Sequence, residues 1–580
     1  MACLCLLVAM MVFGADPMQQ SLGTPGDGAG LSPLLQHPAM LVHPPIVLLG
    51  YAGWAIPFAL AVAGLAGGPT ILRMVPDADW VREARPWALF SWAVLGGGIL
   101  WGAEWAYEEL GWGGYWAWDP IENASLIPWL TGTALIHTMM AWRCCGILKK
   151  TSLSLAIVTF GLCNFATFLT RSGIASSLHA FHESPLGWMF LGLMAAVVLG
   201  GGLLVLFRRR ELIPQRPIPS LWSREAWVLI SAVVLLLLAA VTLVGTLIPL
   251  LSKLILGRGI VVGIAFYNRV FIPTGLLLLA ATAAAPLLRW GSPPRPAQKT
   301  ALLLSGGVGG LVAVLAWVVG LRQPILLAVL CLAASAAAGA TVGFRIWDLG
   351  FRISAFGRRV RDRTHAIRRT RPVSAIRRAK PPRGCKHPPY SAAPSPQPRA
   401  PSPRKYAGYL IHLGIVCLAV GVAGSSLGAR RQEVVMSEGQ TIEWAGRSIR
   451  CTRLIERELP DKLVTEAQLE VSRHGAGAAT LLPARHLHRL QNEWTTEVAI
   501  HSTWRGDFYA ILHGEQEAGR ASLTFIENPM IRWMWCGGWI AGMGAVVGLW
   551  PARRRPPRHS AALLPARMMR STLPQPDGVA

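Results

Sequence analysis

The feature that most constrains this chain is a series of separate apolar runs, most of them close to 20 residues long. A bilayer core about 30 Å thick needs roughly 20 residues at about 1.5 Å of helical rise each. Charged residues make up only 15% of the chain, against about a quarter in ordinary soluble proteins. The runs therefore predict a multi-pass α-helical membrane protein. The predicted spans are 45–67, 87–106, 124–142, 151–170, 187–207, 226–250, 271–289, 301–320, 324–343, 406–427 and 530–550, after a shorter apolar run at 1–14.

The loops between these runs alternate between basic and nearly uncharged. The net charge is +25, and Lys and Arg concentrate in every second loop. Basic loops stay on the cytoplasmic side of a membrane, so the predicted spans are mutually consistent. The charge is spread over loops and one long basic segment, which argues against nucleic-acid binding. The ten cysteines include no CxxC pair, so any thiol chemistry must come from a partner.

Two segments differ from the helical pattern. Residues 351–405 are rich in Arg, Pro and Ser and predict a disordered cytoplasmic insert. Residues 428–528 contain alternating polar and apolar stretches and predict a small β-rich domain on the outer side. The predicted fold class is an all-α polytopic membrane protein with about 11 or 12 transmembrane helices plus this domain. The predicted units are a transmembrane core at 1–350, the insert at 351–405, a helix at 406–427, the β-rich domain at 428–528, a helix at 529–550 and a cytoplasmic tail at 551–580.

The outer loop at 107–123 is unusually rich in tryptophan. An aromatic belt at the headgroup level explains two or three of the indoles in and just before it. It does not explain Trp112, Trp116 and Trp118, which lie among glycines and precede Asp119. Rigid indole faces suit stacking on a flat apolar ligand, and a few polar groups at the rim are typical of such pockets. We therefore favour a planar-ligand platform over belt anchoring, with the loop glycines admitting the ligand close to the backbone.

Four histidines stand out by their depth. His43 and His179 lie on the same outer face as the tryptophan loop, where two imidazoles could act as axial ligands to haem iron. His137 and His412 lie inside apolar spans, at matching depths of roughly 8–11 Å from the cytoplasmic edge. Buried ionisable groups in a membrane are costly and indicate function. They could ligate one haem b, or each could instead hydrogen-bond to a neighbouring helix.

The motif Trp112-Gly-Gly-Tyr-Trp-Ala-Trp-Asp119, followed by Pro-Ile-Glu-Asn, resembles the WWD signature of haem-handling membrane proteins. Together with His43-Pro-Pro and the segment from Arg171 to His179, it is similar to the CcmF family, the haem lyase subunits of cytochrome c maturation. A close relative in that group serves nitrite reductase assembly. The resemblance runs from about residue 33 to 550, apart from the insert at 351–405.

The resemblance implies a role for each matching residue. His43 and His179 would ligate incoming haem above the WWD loop, which includes Trp112, Trp116, Trp118 and Asp119. His137 and His412 would hold a permanent haem b. That haem is expected to reduce the delivered haem, with quinol as a candidate electron donor.

The resemblance also implies partners and a location. Haem would come from the chaperone CcmE, and CcmH, in some organisms with CcmI, would present the reduced CxxCH apocytochrome c. Two thioether bonds would then form to the haem vinyl groups. The expected location is the bacterial inner membrane, with the WWD loop and the β-rich domain facing the periplasm.

Departures from the family pattern are also visible. Family members have several more spans before the region matching Met1, so we expect this chain to be shortened at its N-terminus. The basic insert is unusual, and His37 stands where the family usually has an acidic residue. Two alternatives remain: a WWD-type haem carrier without lyase activity, which would lack the buried pair and the outer domain, and a transporter of an unrelated substrate.

Overall fold

The structure is a computed structural model, and it describes residues 2–14, 23, 30–67, 78–175, 177, 184–214, 217–218, 220–260, 262–343, 404–473, 478–517 and 519–551. Helices account for most of these residues, and one β-rich unit lies between the last two helices. The helices are α1 Ala2–Gly14, α2 Ala39–Gly53, α3 Ala55–Ala66, α4 Ala78–Glu109, α5 Pro120–Cys145, α6 Lys149–Arg171, α7 Pro185–Phe207, α8 Arg224–Leu256, α9 Ile264–Ala284, α10 Pro296–Val318, α11 Pro324–Gly343, α12 Arg404–Gly428 and α13 Ile531–Leu549.

Among the described residues, nine helical segments are long and apolar enough to cross a membrane, and α2 and α3 together form one of them. The predicted class of polytopic helical protein with a β-rich domain is confirmed. Two further predicted spans, α5 and α13, are helices of 26 and 19 residues that fall outside this count of nine. Of the predicted insert at 351–405, residues 351–403 lie outside the described residues and 404–405 belong to α12, while nearly all of the predicted tail at 551–580 also lies outside them.

The span predicted at 45–67 begins earlier than expected. Helix α2 starts at Ala39, so His43 lies within its first turns and not in the loop before it. Pro44 and Pro45 lie inside this helix as its sixth and seventh residues, beyond the first four N–H groups that lack a partner, so α2 lacks two of its backbone hydrogen bonds there.

The β-rich unit is a sandwich of two antiparallel sheets. One sheet has the order β1-β10-β9-β8, and the other has the order β2-β3-β4-β6-β7, with β5 paired to β4. Its core is formed by side chains from both sheets, such as Ile449 and Leu469 from one and Leu512 and Phe525 from the other. The strands are β1 Arg430–Ser437, β2 Thr441–Trp444, β3 Arg447–Glu458, β4 Lys462–Ser472, β5 Ala479–Leu481, β6 Ala484–His488, β7 Glu493–Glu497, β8 Ala499–Thr503, β9 Gly506–Glu517 and β10 Arg520–Pro529.

The sandwich is joined to the helices by the closely packed pair α12 and α13, which continue directly into β1 and out of β10. Glycines let the two helix backbones meet. A Cβ on Gly414 would lie 2.4 Å from the backbone N of Ala541, and one on Gly537 would lie 2.4 Å from that of Leu418. Small residues at such contacts are typical of helix packing in membranes. This pair fixes the position of His412 on α12.

Candidate functional site

The tryptophan loop connects α4 to α5 at the end of the bundle that carries the sandwich. Asp119 is the N-cap of α5, and its carboxylate accepts a hydrogen bond from the Ile121 N–H at 3.0 Å. Glu122 completes a capping box by accepting from the N–H of Asp119 at 3.2 Å and of Ala117 at 2.9 Å. These polar groups, which we predicted at the rim of a ligand site, satisfy the free N–H groups at the start of the helix.

Trp118 is held in an uncommon backbone conformation with φ of 58°. Its ring stacks on Tyr267 of α9, with centroids 4.1 Å apart and planes within 1° of parallel. Asn123, which is fully buried, donates to the Trp118 carbonyl at 3.0 Å and to the Tyr267 hydroxyl at 3.2 Å. Tyr267 therefore covers one face of the Trp118 indole, and Phe271 of the same helix α9 stands edge-on to it with centroids 4.8 Å apart. Trp116 also stands edge-on to Trp118, with centroids 6.0 Å apart.

The loop glycines do not face a ligand space, which corrects our expectation for them. A Cβ on Gly111 would lie 2.9 Å from the Thr496 side chain, and one on Gly113 would lie 2.1 Å from Ile526 Cδ1. Both neighbours belong to the sandwich. A Cβ on Gly114 would meet the ring of Trp112 at 2.2 Å. These glycines thus allow the loop to pack against the β-domain and against its own indole.

A cluster of buried polar side chains joins the tryptophan loop to the sandwich. The Tyr107 hydroxyl donates to Asp507 at 3.4 Å, and Asn528 donates to that hydroxyl at 3.0 Å and to the Gly113 carbonyl at 3.3 Å. The Tyr509 hydroxyl donates to the Tyr107 carbonyl at 2.9 Å. Burial raises the pKa of the Asp507 carboxyl. The β-domain therefore fixes the position of the tryptophan loop.

We expect Gly113→Ala to destabilise the detergent-solubilised protein by about 2–5 kcal/mol. A left-handed residue with a Cβ costs about 1–2 kcal/mol, and overpacking against Ile526 adds about 1–3 kcal/mol. Gly439 is the matched control, because its φ of 75° is close to the 79° of Gly113 but a Cβ there meets open space. Thermal unfolding of both alanine variants measures the difference, and equal losses would contradict the close contact.

Of the two predicted outer ligands, the structure describes His43 but not His179. His43 lies against α4, where its Nδ1 hydrogen-bonds to the Gly98 carbonyl at 2.9 Å and its ring covers Gly102. Gly102 precedes the end of α4 by seven residues, or about 10 Å, so His43 lies deeper than the loop. His179 lies outside the described residues. Two residues before it, the Ser177 hydroxyl donates to Asp119 at 2.6 Å, which brings the segment preceding His179 to the tryptophan loop.

His37 is paired with acidic side chains. Its Nε2 lies 3.7 Å from a Glu108 oxygen and 3.5 Å from a Glu109 oxygen. Both carboxylates lie at the end of α4, immediately before the tryptophan loop. The site therefore keeps acidic side chains beside the position where the resemblance led us to expect an acidic residue.

The structure brings the rings of His137 of α5 and His412 of α12 together in an edge-to-face arrangement. Their ring centroids are 5.9 Å apart and the planes are nearly perpendicular, at 85°. Each Nδ1 donates to the carbonyl four residues earlier on its own helix, Thr133 at 2.8 Å and Gly408 at 2.6 Å. That bond fixes the tautomer and leaves Nε2 as the acceptor that binds a metal.

The spacing of this histidine pair fits a shared iron. Two imidazoles bound to one metal ion through bonds of about 2 Å have centroids roughly 6 Å apart. The two rings come from helices that are separated by more than 250 residues in sequence. This donor set therefore fits a bis-histidine haem b.

Sequence reasoning missed the residues that support His137. The Trp92 indole N–H donates to the Thr133 hydroxyl at 2.8 Å, and Trp92 stacks on Trp129 with centroids 5.4 Å apart. Thr133 also provides the carbonyl that orients His137. The available signal was the position of Thr133 four residues before His137, which places both on one helix face.

Comparisons with known proteins agree across nearly the whole chain. Residues 1–176 match the family "Cytochrome C assembly protein", and residues 429–529 match "CcmF C-terminal beta-sandwich". "Cytochrome c-type biogenesis protein CcmF" of Pseudomonas aeruginosa is 34% identical over 94% of this chain and 76% of its own length. The Escherichia coli protein of the same name is 31% identical over the same shares.

A solved structure, "Cytochrome c Heme Lyase CcmF", has the same fold, with a TM-score of 0.66 and 24% identity over 89% of this chain and 73% of that one. The family predicted from the WWD motif and the histidines is confirmed. With the β-sandwich, the tryptophan loop and the edge-to-face histidine pair in place, the chain belongs to the CcmF family of cytochrome c-type biogenesis proteins.

Proposed function

We propose that this chain is a haem lyase subunit of cytochrome c maturation in the bacterial inner membrane. It takes haem from the chaperone CcmE and promotes its attachment to a CxxCH apocytochrome c presented by CcmH, with CcmI in some organisms. The sandwich and the tryptophan loop face the periplasm, because the loops at the opposite end of the bundle carry most of the Lys and Arg. The observation that carries the proposal is the His137–His412 pair in a member of this family.

The reaction is an addition of two thiols to two vinyl groups. In each addition the cysteine sulfur bonds to the vinyl carbon next to the porphyrin ring, and the thiol hydrogen passes to the terminal carbon. No net oxidation or reduction occurs. The chain has to orient the haem and control its iron, since the haem and the thiols supply the chemistry.

The outer residues hold the substrate haem. His43 and His179 would be its axial ligands, and Trp112, Trp116 and Trp118 would lie against the porphyrin. Asp119 acts indirectly, because it caps α5 and accepts the Ser177 hydroxyl beside the segment that leads to His179. The sandwich keeps the loop in place through Asn528 and Gly113.

The inner residues hold a resident cofactor. His137 and His412 bind haem b through their Nε2 atoms, while the Thr133 and Gly408 carbonyls keep both rings oriented. When bound, this haem supplies an electron that keeps the substrate iron in its ferrous state. Quinol is the proposed source of that electron.

Complementation tests this function. The chain is expressed in a strain that lacks its own haem lyase subunit, together with a reporter apocytochrome c. We expect haem to remain on the reporter through a denaturing gel, and we expect His43→Ala and His179→Ala to lose at least 90% of that signal, because loss of axial ligation misplaces the vinyl groups. If the reporter remains without covalent haem although the chain is present in the membrane and binds haem, the alternative of a haem carrier replaces the lyase.

A further inference from the structure

Four arginines from four helices converge at the end of the bundle opposite the sandwich. They are Arg85 of α4, Arg143 of α5, Arg224 of α8 and Arg404 of α12. Arg85 lies within electrostatic range of Arg143 and Arg404, and Arg224 lies within range of His412. Arg224 is thus the member of the group that lies close to His412.

Helix packing at this end supports the convergence. Trp80 of α4 stacks on Trp142 of α5 with ring centroids 5.1 Å apart. A Cβ on Gly548 of α13 would lie 2.7 Å from Leu89 of α4 and 3.3 Å from Ala407 of α12. The ends of α4, α5, α12 and α13 thus meet where the arginines lie.

Membrane topology alone does not explain this arrangement. Arginines that only mark the cytoplasmic side extend into water, and Arg82, Arg209 and Arg210 are exposed in that way. Arg85 and Arg224 are half-buried, whereas Arg143 and Arg404 are exposed. Arg85 lies near Arg143 and Arg404. Arg224 hydrogen-bonds to Tyr409, one turn before His412 on α12. Like charges that lie close together in a low-dielectric setting repel one another strongly. An anion bound among these arginines would reduce that repulsion.

Among the residues that the structure describes, the protein provides only part of the negative charge that would balance these arginines. Glu225 lies beside Arg224, but its Oε1 already accepts from the Cys145 thiol at 3.1 Å and from the Gly291 N–H. Arg404 donates to the Trp550 carbonyl and to that of Leu549 at 3.4 Å, which caps α13 without neutralising charge. One carboxylate beside four guanidinium groups leaves an excess of positive charge.

We propose that the half-buried Arg85 and Arg224, with the exposed Arg143 at the rim, form a carboxylate site that binds the two propionates of the haem held by His137 and His412. This inference rests on the proposed function, because it needs haem at that pair. Arg143 lies six residues beyond His137 on α5, or about 9 Å along the axis. Guanidinium groups bind carboxylates through paired, charge-assisted hydrogen bonds. The arginines would thus set both the orientation of the porphyrin and the charge around its iron.

The test compares haem with haem dimethyl ester, in which both propionates are uncharged. The full chain is purified without haem, placed in neutral-lipid nanodiscs and titrated with each compound. We expect the wild-type protein to bind haem at least about tenfold more tightly than the ester, because hydrogen bonds to charged groups are strong. The Arg85→Gln/Arg224→Gln variant should lose most of this preference, and Arg82→Gln, on the same helix but exposed, should keep it.

The midpoint potential gives a second measurement that does not depend on affinity. Uncompensated propionates stabilise ferric iron, so the double variant should have a more negative potential than the wild type and Arg82→Gln. Equal binding of haem and ester by the wild-type protein would overturn the inference. So would loss of the preference when an anionic phospholipid is added, since a lipid headgroup would then be the occupant of the arginines.

The two proposals can fail separately. If His137→Ala and His412→Ala leave the haem spectrum unchanged, the inner haem site itself is wrong. If those variants lose the haem while the arginine variants show neither a changed ester preference nor a changed potential, only the carboxylate site is wrong.

Discussion

Replacing His137 or His412 by alanine is expected to abolish the low-spin, bis-histidine b-type absorption spectrum of the purified protein. The two rings meet edge to face from two helices, and no shift of one ring can replace the Nε2 of the other. Loss of one axial ligand leaves the iron with a single imidazole. We expect at least a tenfold loss of tightly bound haem, or conversion of the remainder to a high-spin spectrum.

Two controls sharpen this expectation. His179→Ala belongs to the proposed outer site and should keep the low-spin signal. In His137→Gly, added imidazole should restore the signal in part, because the cavity at that position matches the lost ring and His412 remains oriented by the Gly408 carbonyl. An unchanged spectrum in both alanine variants would falsify the assignment of the pair to haem b.

Gly537→Ala is expected to cost the protein about 1–3 kcal/mol of stability and to weaken haem retention at the same time. Its Cβ would lie 2.4 Å from the backbone N of Leu418. Because that contact is with backbone and not with a movable side chain, α12 and α13 must separate. His412 lies on α12, six residues before Leu418, so separation of the helices moves its ring away from His137.

Gly542 provides the matched control on the same helix, since a Cβ there has no neighbour within 4 Å among the described residues. Gly542→Ala should be neutral or slightly stabilising, because alanine has a higher helix propensity than glycine. Thermal unfolding and the haem-to-protein ratio of both variants measure the difference. Similar behaviour of the two variants would show that the close packing of α12 and α13 does not hold His412.

His137 and His412 show how much of the site could be predicted from the sequence. Their positions within two apolar runs predicted equal depth, because depth in a membrane follows from counting residues along a helix. The structure then placed the two rings 5.9 Å apart. Counting could not supply the rotation of each helix about its axis, which depends on packing such as that of Gly414 against Ala541.

The tryptophan loop shows where the sequence misled. Its glycines and acidic residues look like parts of a ligand pocket. In the structure Gly113 packs on Ile526, and Asp119 caps α5. Each partner of Gly113 and Tyr107 in the sandwich is about 400 residues away in the chain, so no local pattern could reveal it.

The sequence by itself determined the membrane class, the alternating loops, the β-rich domain and the family, because hydrophobic length, charge bias and short motifs are local properties of a chain. Only the tertiary structure decided that Tyr267 covers one face of Trp118, that the sandwich holds the tryptophan loop, and that Arg224 of α8 lies near His412 of α12. The physical reason is that these features depend on how distant helices pack. Close packing is settled by the shapes of side chains that meet only once the whole bundle has assembled.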